Sequence, residues 1–254
     1  MKTKTILITG ASSGLGESLA RVYANENSRL LLVARNVNKL QELQNELAGE
    51  VKIFPADLTN SQEIERLIKE LKADNQVIDL LINNAGVGFF EKFTQTSQEQ
   101  ILKTIQLNTL APMLLTQGLI ELMPLGSSIV NVASIAGKIA TTKSSIYAAS
   151  KSALIQFSNV LRMELYDKNI HVMSANFGPI RTPFHQKADK TGEYAKKIDR
   201  FMLDADQLAL LIQRYERKKK RELNRPRSMA FVSVLASLMP GLFEYLNRTL
   251  FNLK

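Results

Sequence analysis

Short apolar runs alternate along the chain with longer segments whose apolar residues recur every three or four positions. The runs occupy residues 5–9, 30–33, 51–54, 78–82, 128–132 and 170–174. Runs of this length without polar alternation are typical of strands buried on both faces of a parallel sheet. The spacing predicts helices over 15–23, 40–47, 61–71, 97–122, 146–166 and 205–218. We therefore expect an α/β fold: one Rossmann-type, doubly wound parallel sheet of six to seven strands with helices on both faces.

The pattern loosens after Asn176. Residues 177–200 are polar, contain glycines and prolines, and are predicted to form a substrate loop or lid. Residues 221–224 are a candidate short seventh strand, and 228–254 form an apolar helical tail interrupted by Pro240 and Gly241. No linker divides the sequence, so 1–254 is predicted to be a single domain.

The tail is too short and too interrupted to cross a membrane as one helix. Two short helices fit better, with apolar faces formed by Phe231, Leu235, Leu238, Leu242, Leu246 and Leu250. Three roles remain open for these faces. They could cap the substrate pocket, form the interface of a homodimer or other homo-oligomer, or make peripheral membrane contact beside the basic run.

Charge and composition exclude several classes of function. The net charge of +9 is concentrated in residues 214–227, which hold eight basic and two acidic residues. This run lacks interleaved aromatic residues and any known nucleic-acid module, so no nucleic-acid partner is predicted. The chain has no cysteine and no cluster with metal-ligand spacing, so no metal is predicted. The apolar stretch after Met1 is too short for a signal peptide, and a cytoplasmic protein is expected, with the membrane-peripheral alternative left open.

A glycine-rich turn joins the first strand to the first helix. Glycine allows the backbone to approach a pyrophosphate closely, and the helix N-terminus supplies unpaired N–H groups. The candidate cofactor-binding residues of this turn are Thr9, Gly10, Ser12, Ser13, Gly14, Leu15 and Gly16.

The end of the second strand indicates which dinucleotide binds. An acidic residue there would bind the ribose 2′-hydroxyl of NAD, but the chain has Val33-Ala34-Arg35-Asn36. The Arg35 guanidinium can instead pair with a 2′-phosphate. The sequence therefore predicts NADP(H) as cofactor in preference to NAD.

Four motifs in a fixed order resemble the short-chain dehydrogenase/reductase family. They are TGxxxGxG at 9–16, NNAG at 83–86, Ser134 after the fifth strand, and YxxxK at 147–151. Asn108 and Asp57 stand where this family has its helix asparagine and its adenine contact. The resemblance covers about residues 4–223, most of the chain.

The resemblance implies a catalytic role for four residues. Ser134 would hydrogen-bond the substrate carbonyl, and Tyr147 would donate the proton in reduction or accept it in oxidation. Lys151 would hold the nicotinamide ribose and lower the pKa of Tyr147, and Asn108 would shape a helix irregularity and anchor a water behind Lys151. A helix places residues four apart on one face, so a lysine one turn beyond a tyrosine favours its phenolate.

The resemblance also implies the remaining cofactor contacts. Asp57 and Leu58 would hold the adenine. The adenosine ribose and the nicotinamide side would meet Asn84, Ala85 and Gly86, and the carboxamide would meet Ile180 and Thr182. The chain departs from the family here, with Phe177-Gly178-Pro179 where Pro-Gly is usual.

These residues predict an oxidoreductase that transfers a hydride between NADP(H) and a carbonyl or alcohol. Aromatic and aliphatic side chains predicted to line the pocket favour a hydrophobic ketone or aldehyde; they are Phe89, Phe90, Phe93, Ile139 and Phe184. The alternative is a non-catalytic NADP(H)-binding sensor or scaffold on the same fold.

Overall fold

A seven-stranded parallel sheet forms the centre of the computed structural model, which describes residues 3–25, 27–184, 188 and 201–250, with side chains through Tyr245. The strand order is β3-β2-β1-β4-β5-β6-β7. The strands are β1 (Lys4–Thr9), β2 (Ser28–Ala34), β3 (Glu50–Pro55), β4 (Leu80–Asn83), β5 (Ser128–Ser134), β6 (His171–Phe177) and β7 (Glu222–Arg225). The order reverses between β1 and β4, and ligands bind at such switch points outside the carboxyl ends of the strands.

Helices cover both faces of the sheet. Their bounds are α1 (Gly14–Tyr23), α2 (Val37–Glu46), α3 (Ser61–Ala73), α4 (Gln98–Ile105), α5 (Ala111–Leu119), α6 (Ser145–Glu164), α7 (Ala205–Arg217), α8 (Arg227–Leu238) and α9 (Pro240–Leu250). A π-helical turn, Gln106–Leu110, joins α4 to α5. Three 3₁₀ turns cover Phe93–Gln95, Ile120–Leu122 and Ile135–Gly137.

Successive strand residues supply two separate hydrophobic cores. Ile6 and Ile8 of β1 pack with α1, α2 and α7 on one face, whereas Leu7 packs with α3, α5 and α6 on the other. Alternate residues of a strand point to opposite faces, so a strand buried on both sides has no solvent-facing side on which polar residues would alternate. This burial explains the largely apolar runs and confirms the predicted doubly wound sheet.

Several predicted boundaries were wrong by a few residues. The fourth strand begins at Leu80, because the Ile78 amide donates to the Leu122 carbonyl outside the sheet. β6 continues to the buried Phe177, so the predicted loop 177–200 begins one residue later. The seventh strand is shifted by one residue from the predicted 221–224. Residues 185–187 and 189–200 of the loop, and 251–254 of the tail, lie outside the described residues.

The tail forms the two helices α8 and α9, which meet at Pro240 as predicted. Phe231, Leu235 and Leu238 do not line the cavity described below, so the structure gives no support to the first of the three roles, capping of the substrate pocket. All three side chains are exposed, because the smaller Ser233 and Ala236 occupy the buried side of α8. No helix within the described part of the chain is long and apolar enough to cross a membrane.

Candidate active site

The glycine turn has the backbone conformation that its sequence predicts. Gly10 and Gly14 have positive φ angles of 68° and 56°, which favour glycine. A Cβ built on Gly16 would lie 2.0 Å from the Gly10 carbonyl oxygen, so this close packing requires glycine. Ser13 precedes α1 and makes no side-chain hydrogen bond to cap it. The first N–H groups of α1 are therefore available to an anion.

Thr9 ties the glycine turn to the segment after β4. Its hydroxyl accepts hydrogen bonds from the backbone amides of Asn84 (2.9 Å) and Ala85 (3.0 Å). The Asn84 side-chain amide in turn donates to the Thr9 carbonyl oxygen at 2.9 Å. Thr9 thus fixes the two walls of the switch-point crevice relative to each other.

A cavity of about 670 Å³ follows the carboxyl edge of the sheet from the glycine turn to α6. Its wall contains fifteen of the seventeen predicted cofactor residues: Gly10, Ser12, Ser13, Gly14, Leu15, Arg35, Asp57, Leu58, Asn84, Ala85, Gly86, Tyr147, Lys151, Ile180 and Thr182. Thr9 and Gly16 are not in the wall, because both are buried behind it. Both support the turn, Thr9 through its hydrogen bonds to the Asn84 segment and Gly16 through its close packing on Gly10.

One end of the cavity carries a pair of opposite charges. The Arg35 guanidinium lies 3.6 Å from the Asp57 carboxylate, and Arg35 is 61% exposed. The Thr59 amide and hydroxyl both donate to the same carboxylate, at 2.9 and 2.8 Å. Burial raises the pKa of Asp57, but the Thr59 hydrogen bonds and the Arg35 charge outweigh it and lower the pKa. Asp57 is therefore ionised at neutral pH, and Arg35 remains accessible from the cavity.

The structure brings the predicted Ser134, Tyr147 and Lys151 together at the other end. Lys151 is buried, and its ammonium group donates to the Val132 carbonyl oxygen at 2.9 Å. The same group lies 5.9 Å from the centre of the Tyr147 ring, one helical turn away. Ser134 is buried at the end of β5, and its hydroxyl donates to the Phe177 carbonyl oxygen at 3.1 Å.

Burial is the largest influence on the pKa values of Tyr147 and Lys151. It raises the pKa of Tyr147, an effect that the hydrogen bond with Ser134 opposes. Burial also lowers the pKa of Lys151 to about 8. A positive charge near the phenol favours its ionised form, so protonation of Lys151 and ionisation of Tyr147 are linked.

Asn108 lies in the π-helical turn, where the resemblance placed a helix irregularity. Its side-chain oxygen accepts from the Val87 amide, and its NH₂ group donates to the Val87 carbonyl oxygen, both at 2.8 Å. The same NH₂ group donates to the Ser150 hydroxyl at 3.0 Å, and that hydroxyl donates to the Tyr147 carbonyl oxygen at 2.7 Å. Asn108 is therefore connected to α6 through Ser150.

Aromatic rings surround the Tyr147 side chain. Phe90 meets it edge-on at 5.6 Å between centroids, and Phe184 lies at 5.9 Å. Of the five predicted substrate-pocket residues, Phe184 lines the cavity, whereas Phe89, Phe90, Phe93 and Ile139 do not. Phe93 was wrongly placed there, because it belongs to a 3₁₀ turn and is 61% exposed. The space beside Tyr147 is therefore apolar.

Sequence reasoning missed Ser150, Lys103 and Leu107. Lys103 and Leu107 line the cavity from α4 and the π-helical turn. Neither is part of a motif, and their helical spacing matches that of ordinary surface and core positions. Ser150 lies inside YxxxK, but a serine within a helix gives no signal that its hydroxyl is buried and hydrogen-bonded.

The residues present fit a bound nicotinamide dinucleotide. A Cβ on Gly86 would lie 3.3 Å from the Asn108 side-chain oxygen and 3.4 Å from the Lys151 nitrogen, so glycine keeps free the space between these two groups. At the other end, Gly10 and Gly14 form a second bare cradle before α1. Among the residues that the structure describes, there is no cluster of three or more acidic or histidine side chains that could bind a metal ion.

Comparison with known proteins gives one consistent family. A family model described as short chain dehydrogenase matches residues 4–193. The Drosophila melanogaster protein named dehydrogenase/reductase SDR family protein 7-like is 34% identical over 206 residues, which cover 77% of this chain and 63% of that protein. The match thus spans less than two thirds of this relative's length.

Solved structures resemble the chain over nearly its whole length. A short-chain dehydrogenase from Sphingobium yanoikuyae in complex with NADPH is 29% identical, with a TM-score of 0.77 over 94% of this chain and 96% of that one. An alcohol dehydrogenase from Comamonas testosteroni, specific for bulky-bulky ketones, is 26% identical, with a TM-score of 0.75 over 95% of each chain. A 4-hydroxyisoleucine dehydrogenase with bound NADH is also 26% identical, with a TM-score of 0.76 over 87% of this chain and 95% of that one.

Proposed function

This chain belongs to the short-chain dehydrogenase family, and we propose that it is an NADP(H)-dependent oxidoreductase acting on a hydrophobic ketone or aldehyde and the matching alcohol. The observation that carries the proposal is that Tyr147 and Lys151 line one end of a cavity whose other end is the glycine turn, and that Ser134 is hydrogen-bonded with Tyr147. A protein that only bound a dinucleotide would not need a buried lysine one turn from a tyrosine.

The glycine turn would hold the pyrophosphate, and Lys151 would hold the nicotinamide ribose. When bound, the nicotinamide supplies the hydride in reduction or accepts it in oxidation. In reduction, the Tyr147 hydroxyl gives its proton to the substrate oxygen, and the Ser134 hydroxyl donates a hydrogen bond to that oxygen. The charged Lys151 stabilises the phenolate that remains. In oxidation, the same phenolate takes the proton back.

Arg35 supports the preference for NADP(H). A guanidinium at the cavity edge can pair with a 2′-phosphate through two hydrogen bonds. The similar structures include NADPH and NADH complexes, so the preference rests on Arg35 and on the absence of an acid at 33–36. The Asp57 carboxylate beside Arg35 is held by Thr59, which leaves the outer face of the guanidinium for the phosphate.

The rings around Tyr147 support an apolar substrate. Phe90 and Phe184 leave an apolar space next to the phenol, and burial there favours a hydrophobic carbonyl compound over a charged one. The similarity to a dehydrogenase specific for bulky ketones agrees with this reading.

The test follows oxidation of NADPH and of NADH, by absorbance, with a panel of ketones, aldehydes and 3-oxo acyl compounds. We expect turnover with apolar members of the panel and a higher kcat/KM for NADPH. Arg35→Ala should raise the Kd for NADPH at least about tenfold and change the Kd for NADH less than about twofold. Arg21→Ala removes an exposed arginine of α1 that does not line the cavity and should change neither Kd.

The panel also separates the two readings of the chain. Tight NADPH binding with no turnover on any member would favour the sensor or scaffold. Equal loss of NADPH and NADH binding in Arg35→Ala would contradict the role of Arg35 at the 2′-phosphate.

A further inference from the structure

The tail helix α8 has its large apolar side chains on the outside. Ser233 and Ala236 are its buried residues, and the sulfur of Met229 lies 3.0 Å from where a Cβ of Gly178 would be. Small residues thus face the protein. The opposite side carries Phe231, which is 66% exposed, and Leu238, which is 72% exposed. An ordinary amphipathic helix of a monomer has the reverse arrangement.

Exposed apolar residues are concentrated in this part of the molecule. Among the described residues, seven of the nineteen exposed large hydrophobic side chains fall within the twelve positions 231–242. They are Phe231, Val232, Val234, Leu235, Leu238, Met239 and Leu242, which we call the tail face. A contiguous patch of this kind is expected to be covered by another molecule.

We propose that the tail face binds the surface of an anionic lipid bilayer, with α8 and the start of α9 lying in the interface. Residues 228–243 carry no charge, whereas Arg225 and Arg227 precede them and Arg248 and Lys254 follow them. Glu244 is the single acidic residue after Glu222. An apolar face flanked by cations matches a surface of acyl chains and anionic headgroups.

The arginines at the ends of the tail carry the charge argument, and the basic run before β7 does not. Lys218–Arg221 precede β7, whereas α8 follows it, so the strand separates the two. Four strand residues span about 13 Å. Lys219 donates to the Gly126 carbonyl oxygen and the Ser128 hydroxyl at the amino edge of the sheet, the edge opposite the cavity. Of the basic run at 214–227, residues 218–221 therefore lie away from the tail face, whereas Arg225 and Arg227 adjoin α8.

The position of α8 connects the tail face with the active site. α8 starts at the carboxyl edge of the sheet, and Met229 packs on Gly178, which lines the cavity. A bilayer bound at the tail face would therefore lie close to the cavity, and an apolar substrate could enter from the lipid. This last step rests on the proposed function, whereas lipid binding itself does not.

Vesicle sedimentation tests the proposal with the full chain. The vesicles are phosphatidylcholine alone and phosphatidylcholine with about one third phosphatidylserine. The test variant is the triple substitution Phe231→Ser, Leu235→Ser, Leu238→Ser. The matched control, Leu102→Ser, Met163→Ser, Tyr166→Ser, removes three equally exposed apolar side chains outside the tail. NADPH binding of both variants verifies that they fold.

We expect the wild type and the control to sediment with the anionic vesicles and the tail variant to lose at least about tenfold in partitioning. Added salt should weaken wild-type binding. The proposal is overturned if the wild type stays in the supernatant with both vesicles, or if the tail variant binds like the wild type. A wild-type dimer that the tail variant converts to a monomer, without vesicle binding, would assign the tail face to a second copy. Carbonyl reduction in solution is measured separately, so either proposal can fail alone.

Discussion

Replacing Ser150 by alanine should slow turnover without weakening cofactor binding. The Ser150 hydroxyl is fully buried and connects Asn108 of the π-helical turn to the backbone of Tyr147, with distances of 3.0 and 2.7 Å. Alanine removes both hydrogen bonds. The Asn108 NH₂ group then keeps the Val87 carbonyl oxygen and loses its second acceptor. Both Asn108 and the first turn of α6 become less firmly held.

The same helix supplies a matched control. Ser158 is also fully buried, accepts from the Asn131 side-chain amide at 2.8 Å, and donates to the Leu154 carbonyl oxygen at 2.7 Å. It lies two turns further along α6, away from the cavity. A buried polar group that loses its partner costs about 1–3 kcal/mol, so both alanine variants should lose similar unfolding free energy.

The two variants should differ in catalysis. If Ser150 positions Tyr147 by tying its backbone to Asn108, the loss of the Ser150 hydroxyl raises the barrier of the proton-transfer step by about 1.4 kcal/mol, which lowers kcat about tenfold. KM and the Kd for NADPH should stay within about twofold, since no cavity-lining group is removed. Urea denaturation, steady-state kinetics and NADPH fluorescence titration measure these quantities.

Equal kcat in Ser150→Ala and Ser158→Ala would refute the positioning role. The positioning role would also be refuted if kcat fell in both variants in proportion to their loss of unfolding free energy. Such a result would indicate that α6 as a whole had become less stable.

Two further predictions concern the pKa of Lys151 and the glycine turn. Burial lowers the pKa of Lys151 from 10.5 to about 8. Between these two pH values the lysine is protonated in the unfolded chain but largely deprotonated in the folded protein. The unfolding free energy should therefore rise as the pH rises from about 8 to 10.5. Lys151→Met should show a smaller rise in urea denaturation at the two pH values, and an equal rise would contradict the lowered pKa. Gly16→Ala should abolish NADPH binding and cost about 3 kcal/mol or more of stability, because the new Cβ would meet the Gly10 carbonyl oxygen. Gly241→Ala, in open space, should leave NADPH binding and melting temperature unchanged, and equal effects of both substitutions would contradict the packing argument.

The sheet was predictable because strands buried on both faces leave an unambiguous sequence pattern. The boundaries of individual strands and helices were less predictable than the sheet itself. Ile78 continues the apolar run before Leu80, but its amide bonds to Leu122, a contact that no local pattern encodes. The sequence also gives no sign of the π-helical turn at Gln106–Leu110, because the spacing of apolar residues through it does not differ from that of the flanking helices. Only the family resemblance pointed to Asn108.

The candidate site was predictable as far as its motifs reach. Residues outside motifs, such as Lys103 and Ser150, enter the site only through the folding of α4 and α6 around the cavity edge. The tail shows a further reason why the sequence does not predict every feature of the structure. Its periodicity predicted helices correctly but gave no information on which side faces the sheet, and the small Ser233 and Ala236 took the buried side.

We propose that the Tyr147 hydroxyl transfers the proton in an NADPH-dependent reduction. Tyr147→Phe removes that one oxygen and keeps the ring that packs on Phe90 and Phe184. We measure kcat with the best carbonyl substrate, and the Kd for NADPH, in both proteins. For Tyr147→Phe we expect an unchanged Kd for NADPH and a kcat that is lowered about 10²- to 10⁴-fold. A variant that turns over the substrate at the wild-type rate would contradict the proposal.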